Sequence, residues 1–289
     1  MKQIGRQALW SFLNTSTEIV KTGNSQVRRN HGCRVGSYSS LMRRVAELSY
    51  HNPEYVFFFR GQSKDWKSYG QSTIKPGIFR SEIGRQMPPA LWKIGRRYDR
   101  LERAQELLLQ QGFHGDERLK RYRILRWALI QHYQICETPF LDVTHSLRVA
   151  ASFATLDHDG NPINCLSGQE PILCVFGLPN VAGSVTASSE QGVQIVRLSS
   201  ICPPVASRPH FQEGYVLGEY PELTSMNEKS NYAPQEVDFN RRLIAKFRLN
   251  PTGFWSEHHH PVPPDALYPR RDGFSQIAEN IKDQLGPEI

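Results

Sequence analysis

Cysteine is scarce: 289 residues include five, Cys33, Cys136, Cys165, Cys174 and Cys202, an odd count with no CxxC pair. Neither a disulfide framework nor a zinc cluster is suggested by that pattern, and a reduced, cytoplasmic setting fits it best. Long apolar runs are missing too. Nothing approaches the roughly 20 residues that cross a bilayer, and the opening MKQIGRQALWSFLNTS has no continuous apolar core of a secretion signal. No membrane partner is therefore expected. Paired carboxylates and His/Asn metal constellations are also lacking, which disfavours a nuclease. No metal site is assigned, because the neighbours His258, His259 and His260 would point in different directions on any regular element. Hydrophobic content of 39% with 10% aromatics is ordinary for a globular chain, so wholesale disorder is not expected.

Negative charge is short in one half only. Residues 1–126 carry 24 Lys+Arg and 10 Asp+Glu, giving +14, and residues 127–289 carry 11 and 18, giving −7. A basic amino half fits an anionic partner, whether DNA or RNA, a nucleotide's phosphates or an acidic protein, and equally a solvated arginine-rich helical surface.

Residues 1–36 read as a basic helical segment. SYSSLMRRVAELS (37–49) predicts a serine-capped helix, followed by a short buried strand in EYVFFF. Residues 84–133 read as a helical insertion of two amphipathic helices, with Leu91, Ile94, Tyr98, Leu101 and Leu108 on one and Tyr122, Leu125, Leu129 and His132 on the other. FLDVT reads as a strand and LRVAASFA as a compact helix. EPILCVFGLP, GVQIVRLSSI, HFQEGYVLG and RRLIAKFRLN read as further strands, and GFSQIAENIKDQLG as a closing helix. The polar residues 218–240 read as a long excursion or lid.

Three segments can carry chemistry. In FFFRGQS, Arg60 ends a buried strand and Gly61 lets a ligand or another backbone approach closely. The guanidinium suits phosphate or carboxylate, or is the partner of Asp142. In FLDVTHS, Thr144 and Ser146 sit at a strand-to-helix junction, where hydroxyls cap a helix or orient a polar ligand. In RPHFQEGYVL, Glu213 beside Gln212 is a carboxylate in apolar company, which needs a partner or a task. His132 is either a ligand contact or the partner of a nearby acid, and Trp127 and Tyr133 read as core aromatics.

The stretches FFFRGQSKDW, IKPGIFR, ALIQHYQICETPFLDVTHSLRVAASFA, RPHFQEGY and ALYPRRDGFSQIAENI, in that order across about residues 37–285, resemble the FRG domain family, named for its Phe/Tyr-Arg-Gly motif. The resemblance implies a site containing Arg60, Gln62, Arg80, Gln131, His132, Asp142, Thr144, Ser146, Arg208 and Gln212. More distantly, the order of arginine strand, hydroxyl segment and late acid is similar to ADP-ribosyltransferases of the Arg–Ser–Glu class. DVTHS stands here for their serine triplet and QEG for their Glu-x-Glu.

That second likeness implies an α+β fold on a small, split and twisted mixed sheet. It implies NAD as substrate, held by Arg60, Gly61, Gln62, Arg80, His132, Asp142, Thr144, Ser146 and Gln212. Glu213, Arg60 and Thr144 would be the catalytic group. The expected function is ADP-ribosyl transfer to a macromolecular acceptor, DNA or RNA among the candidates, or NAD hydrolysis, activities that serve as toxins or phage-defence effectors. The alternative is a non-catalytic module that senses a nucleotide or phosphorylated ligand.

Overall fold

The computed structural model describes residues 4, 8–14, 18–81, 89–113, 115–164, 170–178, 183–188, 193–218, 237–269 and 271–287. In chain order, β1 (Leu9–Ser11) and β2 (Val20–Thr22) form a small ladder, α1 (Asn24–Arg29) follows, and β3 (Cys33–Val35) leads into α2 (Tyr38–His51). Then come β4 (Val56–Gln62), the hairpin β5 (Lys67–Ser68) and β6 (Gln71–Ser72), and a 3-10 turn at Gly77–Phe79. Helices α3 (Leu91–Gln110), α4 (Glu117–Arg121) and α5 (Arg123–His132) precede β7 (Phe140–Thr144) and α6 (Leu147–Thr155). The chain continues through β8 (Ile172–Leu178), β9 (Val185–Ser188), β10 (Val193–Arg197), α7 (Arg208–Phe211), β11 (Gly214–Gly218) and β12 (Leu243–Leu249), and ends in a helix at Gly273–Leu285.

Eight strands join one mixed sheet in the order β3-β12-β8-β4-β7-β11-β10-β9. Every pairing is antiparallel except β3 with β12. The two-residue period of a strand sorts side chains by face. On β7, Leu141 and Val143 join one core cluster with Phe58, Val175 and Phe247, whereas Phe140 joins another with Trp127, Leu101, Phe274 and Ile281. The second cluster is the seat of the helical insertion: Trp127 and Tyr133 are buried in it, as read from the sequence.

Several elements follow their local signals closely. Ser37 accepts from the Ser40 amide and caps α2, and β7 covers FLDVT residue for residue. Others differ. The described part of residues 1–36 holds more than a helix: it supplies β1, β2, α1 and β3, and β3 is an edge strand of the main sheet, with Ile4, Leu9 and Phe12 in its core. The second insertion helix is two helices, because Tyr122 is extended and Arg126 turns back to donate to the Leu119 and Lys120 carbonyls at the end of α4. HFQEGYVLG is only half strand. Pro209, which fixes φ and has no amide hydrogen, suits a first helical turn, so Arg208–Phe211 is helical and β11 begins at Gly214. Of the excursion read at 218–240, residues 219–236 lie outside the described residues.

Candidate functional site

Strands β4 and β7 register at a single residue pair, Phe59 with Thr144. Beyond it they part. Arg60, Gly61 and Gln62 stay paired with Cys174, Leu173 and Ile172 of β8, while β7 stays in full register with β11. The carbonyl of Asp142 thereby loses a ladder donor from β4, and the Arg60 guanidinium replaces it, with Nη1 donating at 2.6 Å. A backbone acceptor left unmet here would cost about 1–3 kcal/mol.

Gly61 belongs to the same device. A Cβ there would lie 1.9 Å from the Ala150 carbonyl oxygen and 2.7 Å from the Ala154 amide. Helix α6, with Ala150, Ala151 and Ala154 buried, is thus seated directly on the β4 backbone. What the glycine admits is a helix.

The parting strands open a cleft of about 360 Å3. At its floor, Asp142 is held from two sides. His132 Nδ1 donates to Oδ1 at 3.0 Å and Gln131 Nε2 donates to Oδ2 at 2.7 Å. Gln131 is itself fixed by the Thr138 hydroxyl, which donates to its Oε1. Burial pushes the Asp142 carboxyl up, but the bonds from His132 and Gln131 and the charge of Arg60 outweigh it and hold the group below its ordinary range. Burial pulls His132 below its ordinary value against the attraction of Asp142, with Arg208 adding to the fall. A neutral imidazole with its hydrogen on Nδ1 follows, and its Nε2 is buried without a protein partner among the described residues. Gly214 leaves room for the ring, since a Cβ there would sit 3.3 Å from His132 Cε1.

Two guanidiniums reach the cleft, from Arg60 and Arg208, and each has an Nε that no described residue fills. Arg208 lies over the rings of Tyr133 and Tyr268, at 5.7 and 5.4 Å from their centroids. Tyr133 is anchored in turn by its hydroxyl, which donates to Asp272 at 2.7 Å. Phe59, Trp66, Phe153 and Tyr268 supply aromatic wall, and Asp142 is the only carboxylate among the described lining residues. That carboxylate is already committed to His132 and Gln131, so the cleft carries surplus positive charge and suits an anion bearing a ring.

The structure brings together Arg60, Gly61, Gln62, His132, Asp142, Thr144, Arg208 and Gln212, all of which line the cleft. The hydroxyls are in structural use. Thr144 Oγ1 donates to the Gln212 carbonyl and accepts from the Ser146 amide, both at 2.9 Å, and Ser146 Oγ caps α6 by accepting from the Val149 amide. Gln212 is buried, with its side-chain amide donating to the Leu267 carbonyl. Arg80 is exposed, bonds the Lys75 carbonyl and is not part of the wall.

Glu213 is exposed and also outside the wall, at the turn into β11 with a left-handed φ of 44°. The apolar strand expected around it starts one residue later, which is why its carboxylate stays in water. Wall residues that the sequence did not single out are Gln134, Trp66, Phe153 and Tyr268. Gln134 had no readable signal, but its φ of 52° places it with Glu213 among the few non-glycine residues in the left-handed region.

Among the described residues no group of three His, Cys, Asp or Glu is placed to hold a metal ion, and no helix is long and apolar enough to cross a membrane. Part of the basic surplus is hydrogen-bonded within the fold. Arg97, Arg100, Arg118 and Arg126 each donate to main-chain carbonyls.

A mixed sheet that parts at an arginine, with a cationic, ring-walled cleft in the gap, defines an α+β protein. Residues 55–161 match the family model of the FRG domain. That span contains Arg60, His132, Asp142 and Thr144; Arg208, Gln212 and Tyr268 complete the cleft from beyond it. No curated protein and no solved structure matches the chain.

Proposed function

We propose that the cleft binds a nucleotide by its phosphates, with NAD as the leading ligand, and that the chain consumes it by ADP-ribosyl transfer or hydrolysis. One observation carries the reading: Arg60 and Arg208 both line one cleft, the Nε of each has no partner among the described residues, and the only carboxylate among the described lining residues is already bonded. Two fixed forks suit a diphosphate, and the aromatic wall suits the rings at either end of a dinucleotide.

The test is a thermal-shift titration with NAD, ADP-ribose and AMP. A ligand present at 100 times its Kd adds about 2.7 kcal/mol of stability, and the melting point rises accordingly. Arg208→Ala is expected to abolish the shift. Purified protein whose melting point ignores all three compounds would refute the reading.

A sensor without chemistry is the second reading. It is favoured by the exposure of Glu213 and by the commitment of the Thr144 and Ser146 hydroxyls to backbone groups. Stabilisation by NAD with no release of nicotinamide would select it. Under the transfer reading, DNA or RNA remains the acceptor to try first.

A further inference from the structure

We propose that His132 is the general base of the cleft and that its reaction is hydrolysis: water attacks the ribose carbon of a pyridinium N-glycoside, the bond found in NAD, in place of a macromolecular acceptor. The proposal rests on the nucleotide reading above.

The first argument is the chain Thr138–Gln131–Asp142–His132, which fixes the imidazole in one tautomer. Thr138 Oγ1 is itself anchored by accepting the Phe140 amide at 3.1 Å. A carboxylate on Nδ1–H leaves the lone pair on Nε2, and that buried atom, on a residue that lines the cleft, has no protein partner among the described residues. A buried acceptor left open carries a desolvation cost of about 1–3 kcal/mol. It is the place where a proton from outside the protein would be received.

The second argument is an asymmetry. Among its described lining residues the cleft has a proton acceptor and no matching donor. Asp142 is held ionised and bonded, and burial pushes the Tyr268 hydroxyl further from giving up its proton. Phosphoester hydrolysis expels an alkoxide on the side opposite the incoming water, so a single imidazole cannot serve both ends. A pyridinium glycoside needs no donor. Water gives its proton to Nε2 as its oxygen bonds to the ribose carbon, the carbon–nitrogen bond breaks with its electron pair going to the ring nitrogen, and nicotinamide leaves neutral. The proton on His132 then passes to solvent.

The third argument is size. His132 is 3% exposed, so an oxygen that reaches Nε2 has to arrive on something as small as water. The charged groups around the imidazole are Asp142 on β7, Arg208 on α7 and Asp272 at the cap of the closing helix. Arg208 opposes an imidazolium, which favours the basic form.

The experiment is turnover of NAD by the full chain, with nicotinamide and ADP-ribose separated by chromatography and initial rates followed between about pH 5 and 8. Expected are free ADP-ribose as product and a kcat/KM that falls about tenfold per unit on the acid side of the base's pKa. His132→Gln should lower kcat by about 10²–10⁴ and still bind ADP-ribose. A rate independent of pH, full turnover by His132→Gln, or ADP-ribose recovered covalently on protein or nucleic acid would each overturn the proposal. So would ADP-ribose binding without NAD cleavage, which leaves the binding reading standing; failure of both ligands to bind removes both. If His132→Gln does not fold, the pH profile and product of the unaltered chain decide.

Discussion

Arg60 donates to the main-chain carbonyl of Asp142 and not to its carboxylate. The distinction divides two tasks that one ion pair would have merged. The guanidinium holds the sheet together where β4 and β7 part, with its Nε unpartnered among the described residues, while the carboxylate is left to orient His132. An arginine at the end of an apolar strand thus stitches the sheet at the mouth of the cleft.

Gly61→Ala is expected to be severely destabilising. The added methyl meets backbone atoms of α6, which cannot swing aside as a flexible side chain would. Overpacking of this kind costs about 1–3 kcal/mol or more, and the midpoint of chemical denaturation should fall to match.

Thr144→Val should cost stability in a way that Thr144→Ser does not. Valine keeps the shape but leaves the Gln212 carbonyl and the Ser146 amide unmet, at about 1–3 kcal/mol for each buried group. Serine retains both bonds. Equal melting points for the two variants would show that the hydroxyl is not structural.

Glu213→Gly should stabilise the protein by up to about 1 kcal/mol, since glycine takes the left-handed φ of 44° without strain. Ligand binding should be unchanged, because the side chain is exposed and off the cleft wall. Loss of NAD turnover in Glu213→Gln would instead return this carboxylate to the catalytic group.

Stability should fall with acid in two stages. The folded state holds His132 below its ordinary value of 6.5, so below that pH the unfolded chain takes up a proton that the folded one refuses. Asp142 lies below its ordinary 3.8, and its contribution, present above that pH, is lost as the pH drops through the lower folded value. Melting points should decline from about pH 6.5 downward and again below about pH 4. His132→Gln should reduce the first decline, the remainder coming from His145, which burial also holds below its ordinary value.

Reading along the chain succeeded where one element answers to its own residues. The Ser37 cap, the FLDVT strand, the small-residue helix α6 and the two-residue alternation on β7 need no distant partner to be recognised. It failed where a remote group decides. The break between α4 and α5 depends on Arg126 returning to cap α4. The register between Glu213 and Gly214, on which the exposure of the acid turns, depends on a helical turn begun by Pro209. Tyr268 gains its meaning from Arg208, 60 positions earlier, and Trp66 from the cleft it walls.

By itself the sequence determined which segments bury a face and that an arginine, a histidine, an aspartate and a threonine stand at the ends of such segments, because burial periodicity and capping are local properties. Only the tertiary structure decided that two strands pair at one residue, Phe59 with Thr144, and then diverge, and that helix α6 lies on a bare glycine. The physical reason is that hydrogen-bond partners across a sheet are set by how faces pack against one another, and no stretch of chain contains that information alone.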